Sequence, residues 1–226
     1  LTDDHSLPRD LTDPVPFVFR DFSRERPVSD DVFNAFKASY AYDRGDLAPV
    51  VRAVNDTARD WRRETSEINA AYGGERFVVH LFLPKRAAPP FQTIVYFPGI
   101  NALHQRSSEE GVARMLEVED FLIRSGRAVA YPVYKATYER ATSLTSDFPA
   151  MTALFRDHVI MWSKDLQRTV DYLETRPDIA PGKIGFAGRS WGGAMGTTMV
   201  ASEPRLKLAI FFVGGFYSQR ARPEVE

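Results

Sequence analysis

The sequence predicts an α/β fold: a doubly wound, mostly parallel sheet preceded by an N-terminal antiparallel hairpin. Three observations predict it. Residues 93–97, 128–134, 184–187 and 206–213 are short, nearly continuous apolar runs, the pattern of parallel strands buried on both faces. The stretches between them repeat apolar residues at helical spacing, and strand-helix alternation favours a sheet with helices on both sides. Upstream, the strand-like runs 61–72 and 76–83 flank Gly73-Gly74, which suits the positive φ of a tight hairpin turn.

In chain order, residues 1–28 read as an N-terminal arm or linker remnant. Prolines punctuate the arm, charges crowd it, and one apolar cluster (Val15, Phe17, Val18, Phe19, Phe22) suits an extended segment laid on a core. The chain begins at Leu1 without the order of a signal peptide, which reads as a start processed or cut from something longer. A single domain over 29–226, incomplete at its C-terminus, is expected to follow. Ser29 offers an N-cap, and Val32, Phe33, Phe36 and Tyr40 fall at helical spacing before Gly45 ends the run. After the hairpin and the strand at 93–97, Ser107 with Glu110 forms a capping box. The helix that follows turns Val112, Met115, Leu116, Leu122 and Ile123 inward and stops at Gly126. Beyond the strand at 128–134, a second helix repeats Val159, Trp162, Leu166, Val170 and Leu173 until Arg176-Pro177. Its acidic residues Asp165 and Asp171 read as a solvated polar face, and the phenylalanines read as core.

Charge excludes some partners. With 29 basic and 30 acidic residues the formal net charge is −1, so no global field draws nucleic acid or an anionic membrane. The expected partner is a small molecule. No apolar run reaches the roughly 18 residues needed to cross a bilayer, so no membrane insertion is expected. The absence of cysteine excludes disulfides, thiolate catalysis and cysteine-ligated metals, and leaves the compartment open.

The chemistry concentrates at 183–193, K-I-G-F-A-G-R-S-W-G-G: an apolar strand, then Gly188-x-Ser190-x-Gly192, then a helix of small residues. A serine at the apex of such a strand-to-helix turn projects its hydroxyl from the top of the sheet, and side chains at its flanks would collide with the neighbouring strand and helix. Ser190 is the candidate nucleophile. The helix aims its free N–H groups and positive end at the place where an oxyanion would develop, and the Trp191 amide is the first donor. The second is expected from the loop after 93–97, Pro98-Gly99-Ile100-Asn101, with the Ile100 amide chosen. The alternative for each motif is an ordinary structural turn.

From Tyr72-Gly73-Gly74-Glu75-Arg76 through Phe97-Pro98-Gly99 to Gly188-Arg189-Ser190-Trp191-Gly192-Gly193, the chain resembles the dienelactone-hydrolase and prolyl-oligopeptidase-like branch of the α/β-hydrolases. It also resembles hydrolase domains appended to bacterial serine/threonine protein kinases. The likeness covers roughly residues 30–215 and implies an α/β-hydrolase fold whose C-terminal part is missing. It also implies a carboxylic-ester hydrolase acting through an acyl-enzyme on Ser190. In this superfamily the order is serine, acid, histidine. After Ser190 this sequence has no Asp and no His, only Glu203, Glu224 and Glu226. The acid and histidine are therefore expected outside this chain, in a missing C-terminal segment or a second chain. A non-catalytic hydrolase-shaped binding or regulatory module and a serine peptidase are the alternatives.

Four histidines precede the serine. His158, beside Asp157, reads as a surface or capping residue, His80 as structural on a strand face, and His5 as part of the arm. His104 and Asn101, in the loop over the strand ends, are candidate substrate contacts. So are Tyr134 and Arg189, the latter either meeting an anionic group or pairing with a carboxylate. The stretch 135–149 could cap the pocket with Tyr138, Arg140 and Phe148. No His/Asp/Glu cluster has metal-ligand spacing, and the glycines around Ser190 lack the lysine of a phosphate-binding loop, so no metal, nucleotide or other cofactor is expected.

Overall fold

The computed structural model describes residues 24–214. Its strands are β1 (Val50–Asn55), β2 (Trp61–Asn69), β3 (Arg76–Pro84), β4 (Phe91–Phe97), β5 (Ala128–Pro132), β6 (Ile179–Arg189) and β7 (Leu206–Phe212). They form one sheet in the order β1-β2-β3-β5-β4-β6-β7. The pairs β1/β2, β2/β3 and β3/β5 are antiparallel, whereas β5/β4, β4/β6 and β6/β7 are parallel. The parallel half is the part wound with helices, and the hairpin lies on its β5 side.

The hairpin is in register from Trp61 opposite Pro84 to Asn69 opposite Arg76. Gly73 and Gly74 take φ of 63° and 62° in its turn, as the pair requires. Outside it lies β1, an edge strand that the periodicity does not reveal. Val50, Val51 and Val54 are all exposed, so no buried face imposes an alternating pattern on its sequence.

The helices are α1 (Asp30–Ala38), α2 (Ser108–Glu119), α3 (Phe121–Arg124), α4 (Ala153–Glu174) and α5 (Trp191–Ser202). Ser29 caps α1, its hydroxyl accepting from the Val32 amide, and the helix stops at Ala38, short of Gly45. The helix expected up to Gly126 is two helices that break at Asp120. Ser107 caps the first through the Glu109 amide. Thr152 caps α4, which then runs 22 residues to Glu174.

Alternation along β4 puts α2 and α4 on opposite faces. Tyr96 reaches Glu119 of α2, and the next residue, Phe97, packs its ring against Trp162 of α4. On α4, Trp162, Leu166, Val170 and Leu173 are fully buried, each contributing roughly 1.5–3 kcal/mol.

The other side of α4 is not solvated, contrary to its polarity. Asp165 is buried and accepts from the Tyr72 hydroxyl (2.8 Å), the Lys135 amide (2.9 Å) and the Arg140 guanidinium (2.6 Å). Burial raises the Asp165 carboxyl, and Arg140 opposes the rise. Asp171 pairs with Arg168 (3.1 Å) and Arg205 (2.7 Å) and accepts from the Tyr42 hydroxyl. Polar spacing marked this stripe, but the partners that cover it come from segments far away in sequence. His158 is likewise buried: Nδ1 donates to the Leu154 carbonyl (2.7 Å), and Nε2 meets the Thr142 hydroxyl (2.9 Å). It fastens the stretch at Thr142 to α4, a different task from surface capping.

Candidate active site

Ser190 sits where β6 turns into α5, with φ 51° and ψ −110°. Such a backbone costs a non-glycine residue on the order of 1–3 kcal/mol and persists only where the surroundings enforce it. Here they do. The Ser190 amide donates to the Phe212 carbonyl of β7 (2.8 Å), and the Gly192 amide donates to Pro98 at the end of β4 (3.1 Å). The flanking glycines are dictated by backbone proximity. A Cβ on Gly188 would lie 2.2 Å from the Gly192 carbonyl oxygen, and one on Gly192 would lie 2.4 Å from that of Phe97. Ser190 itself is exposed.

The loop after β4 lies against this turn: a Cβ on Gly99 would be 3.8 Å from that of Ser190. Among the described residues, neither the Ile100 nor the Trp191 amide has a hydrogen-bond partner. The Trp191 side chain is buried beneath the turn, its ring edge-on to Phe97 and Trp162 with centroids 4.9 Å from each.

A cavity of about 390 Å³ opens beside Ser190. Gly99, Ile100, Asn101 and Arg189 line it together with the serine, and Tyr96, Tyr131 and Tyr138 close its buried side. Arg189 is held by Glu119 at 2.6 Å, and Glu119 also accepts from the Tyr96 hydroxyl at 3.2 Å. Burial, then the Glu119 charge, pushes the Tyr96 phenol well above its ordinary value. Of the two readings of Arg189, pairing with a carboxylate is the one observed.

Ser190, Trp191, Ile100, Asn101 and Arg189 are thus brought together. Tyr134 is not: it is fully buried against Phe97 at 4.3 Å, outside the cavity wall, because β5 ends at Pro132 and the chain turns inward there. His104 is exposed and does not line the cavity. Of the expected cap residues, Tyr138 lines the cavity. Arg140 turns away to Asp165 and the Val133 carbonyl, and Phe148 is exposed. The sequence reading missed Tyr96, Gln105, Arg114 and Tyr131 as lining residues. The tyrosines lie in runs that look like core, but Gly111, a lone glycine within a helical pattern, was a usable signal of close packing.

Of the acids that follow the serine, Glu203 is buried and bound to Arg205 (2.5 Å), while Glu224 and Glu226 lie outside the described residues, as do His5 and the apolar cluster of the arm. His80 is buried between the Thr65 and Ser108 hydroxyls, at 3.1 and 3.0 Å, and burial with the nearby Arg63 charge pulls its imidazole down to about 4. Among the described residues, no His/Asp/Glu group is arranged to hold a metal ion, and no helix is long and apolar enough to cross a membrane.

Solved structures share this fold. A glucuronoyl esterase from Solibacter usitatus superposes with a TM-score of 0.59 at 18% identity, over 83% of this chain and 60% of its own. An acetyl xylan esterase from Paenibacillus sp. R4 gives 0.55 at 19% identity, over 80% and 57%. Acetyl xylan esterase 1 from Thermoanaerobacterium sp. JW/SL YS485 gives 0.59 at 13% identity, over 82% and 58%. The chain therefore spans about 60% of the length of these proteins. No curated protein sequence matches the chain significantly. The model of the dienelactone hydrolase family matches residues 79–225, from the second strand of the hairpin through the serine turn and β7, and the chain belongs to that family.

Proposed function

We propose that this protein is a serine hydrolase of carboxylic esters. Ser190 attacks the ester carbonyl to form an acyl-enzyme, and the Trp191 and Ile100 amides bind the oxyanion. One observation carries the reading: an exposed serine held at a positive-φ turn beside two amides that have no hydrogen-bond partner among the described residues. Each such donor contributes on the order of 3 kcal/mol in the transition state. Family membership and the esterase neighbours support the same chemistry. The substrate is a small-molecule ester.

The acid and histidine come from outside these 226 residues, from further chain or a second chain, because every histidine in the described part lies before the serine and Glu203 is committed to Arg205. Without a base the serine is a poor nucleophile at neutral pH, so these 226 residues by themselves turn over slowly. The test is labelling of the natural full-length protein by a fluorophosphonate, with Ser190→Ala as control and intact mass measured on the same sample. Labelling that depends on Ser190 supports the reading. A full-length protein that resists the probe is a hydrolase-shaped module with another task.

A further inference from the structure

Gly111 lies in the first half of α2, and the space its side chain would need is taken by two hydroxyls. A Cβ there would fall 1.9 Å from the Tyr138 oxygen and 2.5 Å from that of Tyr131. The two oxygens are 2.7 Å apart and hydrogen-bonded to each other. Among the described residues, neither has a second hydrogen-bond partner.

A phenol carries one proton and donates one hydrogen bond. The pair therefore holds two protons and uses one. Both side chains are 1% exposed, so bulk water does not take up the second, and a buried O–H without an acceptor is costly. Both line the cavity beside Ser190. Either oxygen can be the donor within the pair, so one O–H of the two is left at the cavity wall without an acceptor among the described residues.

We infer that the Tyr131–Tyr138 hydroxyl pair is the deep hydrogen-bond donor of a substrate subsite, and that the bound ester carries a hydroxyl or ring oxygen there, as polyhydroxylated compounds do. This rests on the cavity being the ester site. Asn101, Gln105 and Arg114, which line the same cavity, suit an oxygen-rich ligand. The backbone also points to a built wall. Ala136 and Tyr138 have φ of 67° and 49°, and the segment is fastened by the Lys135 amide to Asp165 (2.9 Å) and by Trp162 Nε1 to the Lys135 carbonyl (2.7 Å). Strain of this kind marks positions that the surroundings enforce.

The test compares binding, by NMR titration of this chain, of two probes with the same acyl group and ring size: a mono-O-acetylated methyl glucopyranoside and cyclohexyl acetate. The pyranoside should bind more tightly. The double variant Tyr131→Phe/Tyr138→Phe keeps both ring shapes while removing both hydroxyls, so it should fold, bind the pyranoside about five- to tenfold more weakly and leave cyclohexyl acetate unchanged. A pyranoside bound no more tightly than cyclohexyl acetate, or bound equally by parent and double variant, overturns the subsite. Discrimination that depends on the tyrosine pair in a protein whose Ser190 resists a fluorophosphonate would overturn the hydrolase reading and leave the subsite standing.

Discussion

Replacing Asp165 by alanine should be among the most damaging single changes in the chain. The carboxylate is wholly buried and accepts three hydrogen bonds, from Tyr72, the Lys135 amide and Arg140. Its removal leaves the Arg140 guanidinium, whose side chain is 10% exposed, with only the partly buried Glu75 at 3.2 Å to answer its charge. Breaking a buried pair in this way costs about 3–5 kcal/mol, most of it the penalty of the stranded charge. Arg140→Met should cost a similar amount, since Asp165 then keeps two neutral donors and no cation. Removing both charges strands neither, so Asp165→Ala/Arg140→Met should be less harmful than the sum of the single losses by about 2 kcal/mol or more. Urea unfolding followed by circular dichroism measures all four corners of the cycle, with a constant m-value as the check that the transition stays comparable. A single-variant loss below about 1 kcal/mol, or a double variant equal to the sum, would refute the reasoning. In either case the carboxylate would be reached by water and the segment carrying Tyr138 would be held by something else.

Two further outcomes follow from the same geometry. His80 is held down to about 4 against an unfolded value of 6.5, so below pH 6.5 the unfolded chain takes up a proton that the folded chain refuses. Stability from this group is complete above pH 6.5, falls as the pH drops and levels off below about 4. The loss totals about 3 kcal/mol at 1.36 kcal/mol per pH unit, so unfolding midpoints of wild type and His80→Gln across this range should converge toward acid. At the turn, Ser190→Gly removes a side chain from φ 51° and should raise stability by about 1 kcal/mol while abolishing fluorophosphonate labelling; a drop in thermal midpoint would contradict the enforced strain.

What could be read in the sequence was what leaves a local trace. The serine turn is a local demand: Gly188 and Gly192 are required by backbone a few residues away or on the adjoining strand, so the motif carries its own explanation. The hairpin likewise announces itself through Gly73-Gly74 and the alternation on either side. Burial on both faces made β4, β5 and most of β6 visible as apolar runs, while β1, exposed over Val50 to Val54, left no pattern. β7 is as apolar as its neighbours but is the last strand of the described sheet. There only Leu206 is buried, with Leu208 and Phe211 exposed, so its burial on both faces is not what the structure shows. The cavity was harder because its wall is assembled across the sheet. Tyr96 and Tyr131 stack at 5.3 Å from neighbouring strands, and each looks like plain core in its own run. Tyr134 and Tyr138 lie four residues apart in one segment, yet one packs under the sheet end and the other lines the cavity. That outcome is set by Asp165, which lies about thirty residues away in sequence, and local spacing does not encode it.

The indole pair beneath the serine has a practical consequence. The chain has three tryptophans, and two of them, Trp162 and Trp191, face each other at 4.9 Å with ring planes 87° apart. Rings that close exchange excitation, so their shared dichroism and emission depend on mutual angle and distance. One of them begins α5 directly after Ser190, and the other belongs to the helix that donates to the Lys135 carbonyl. The protein therefore carries its own optical ruler across the serine turn, and a ligand that shifts the turn against α4 will register in near-ultraviolet dichroism and emission without a label attached.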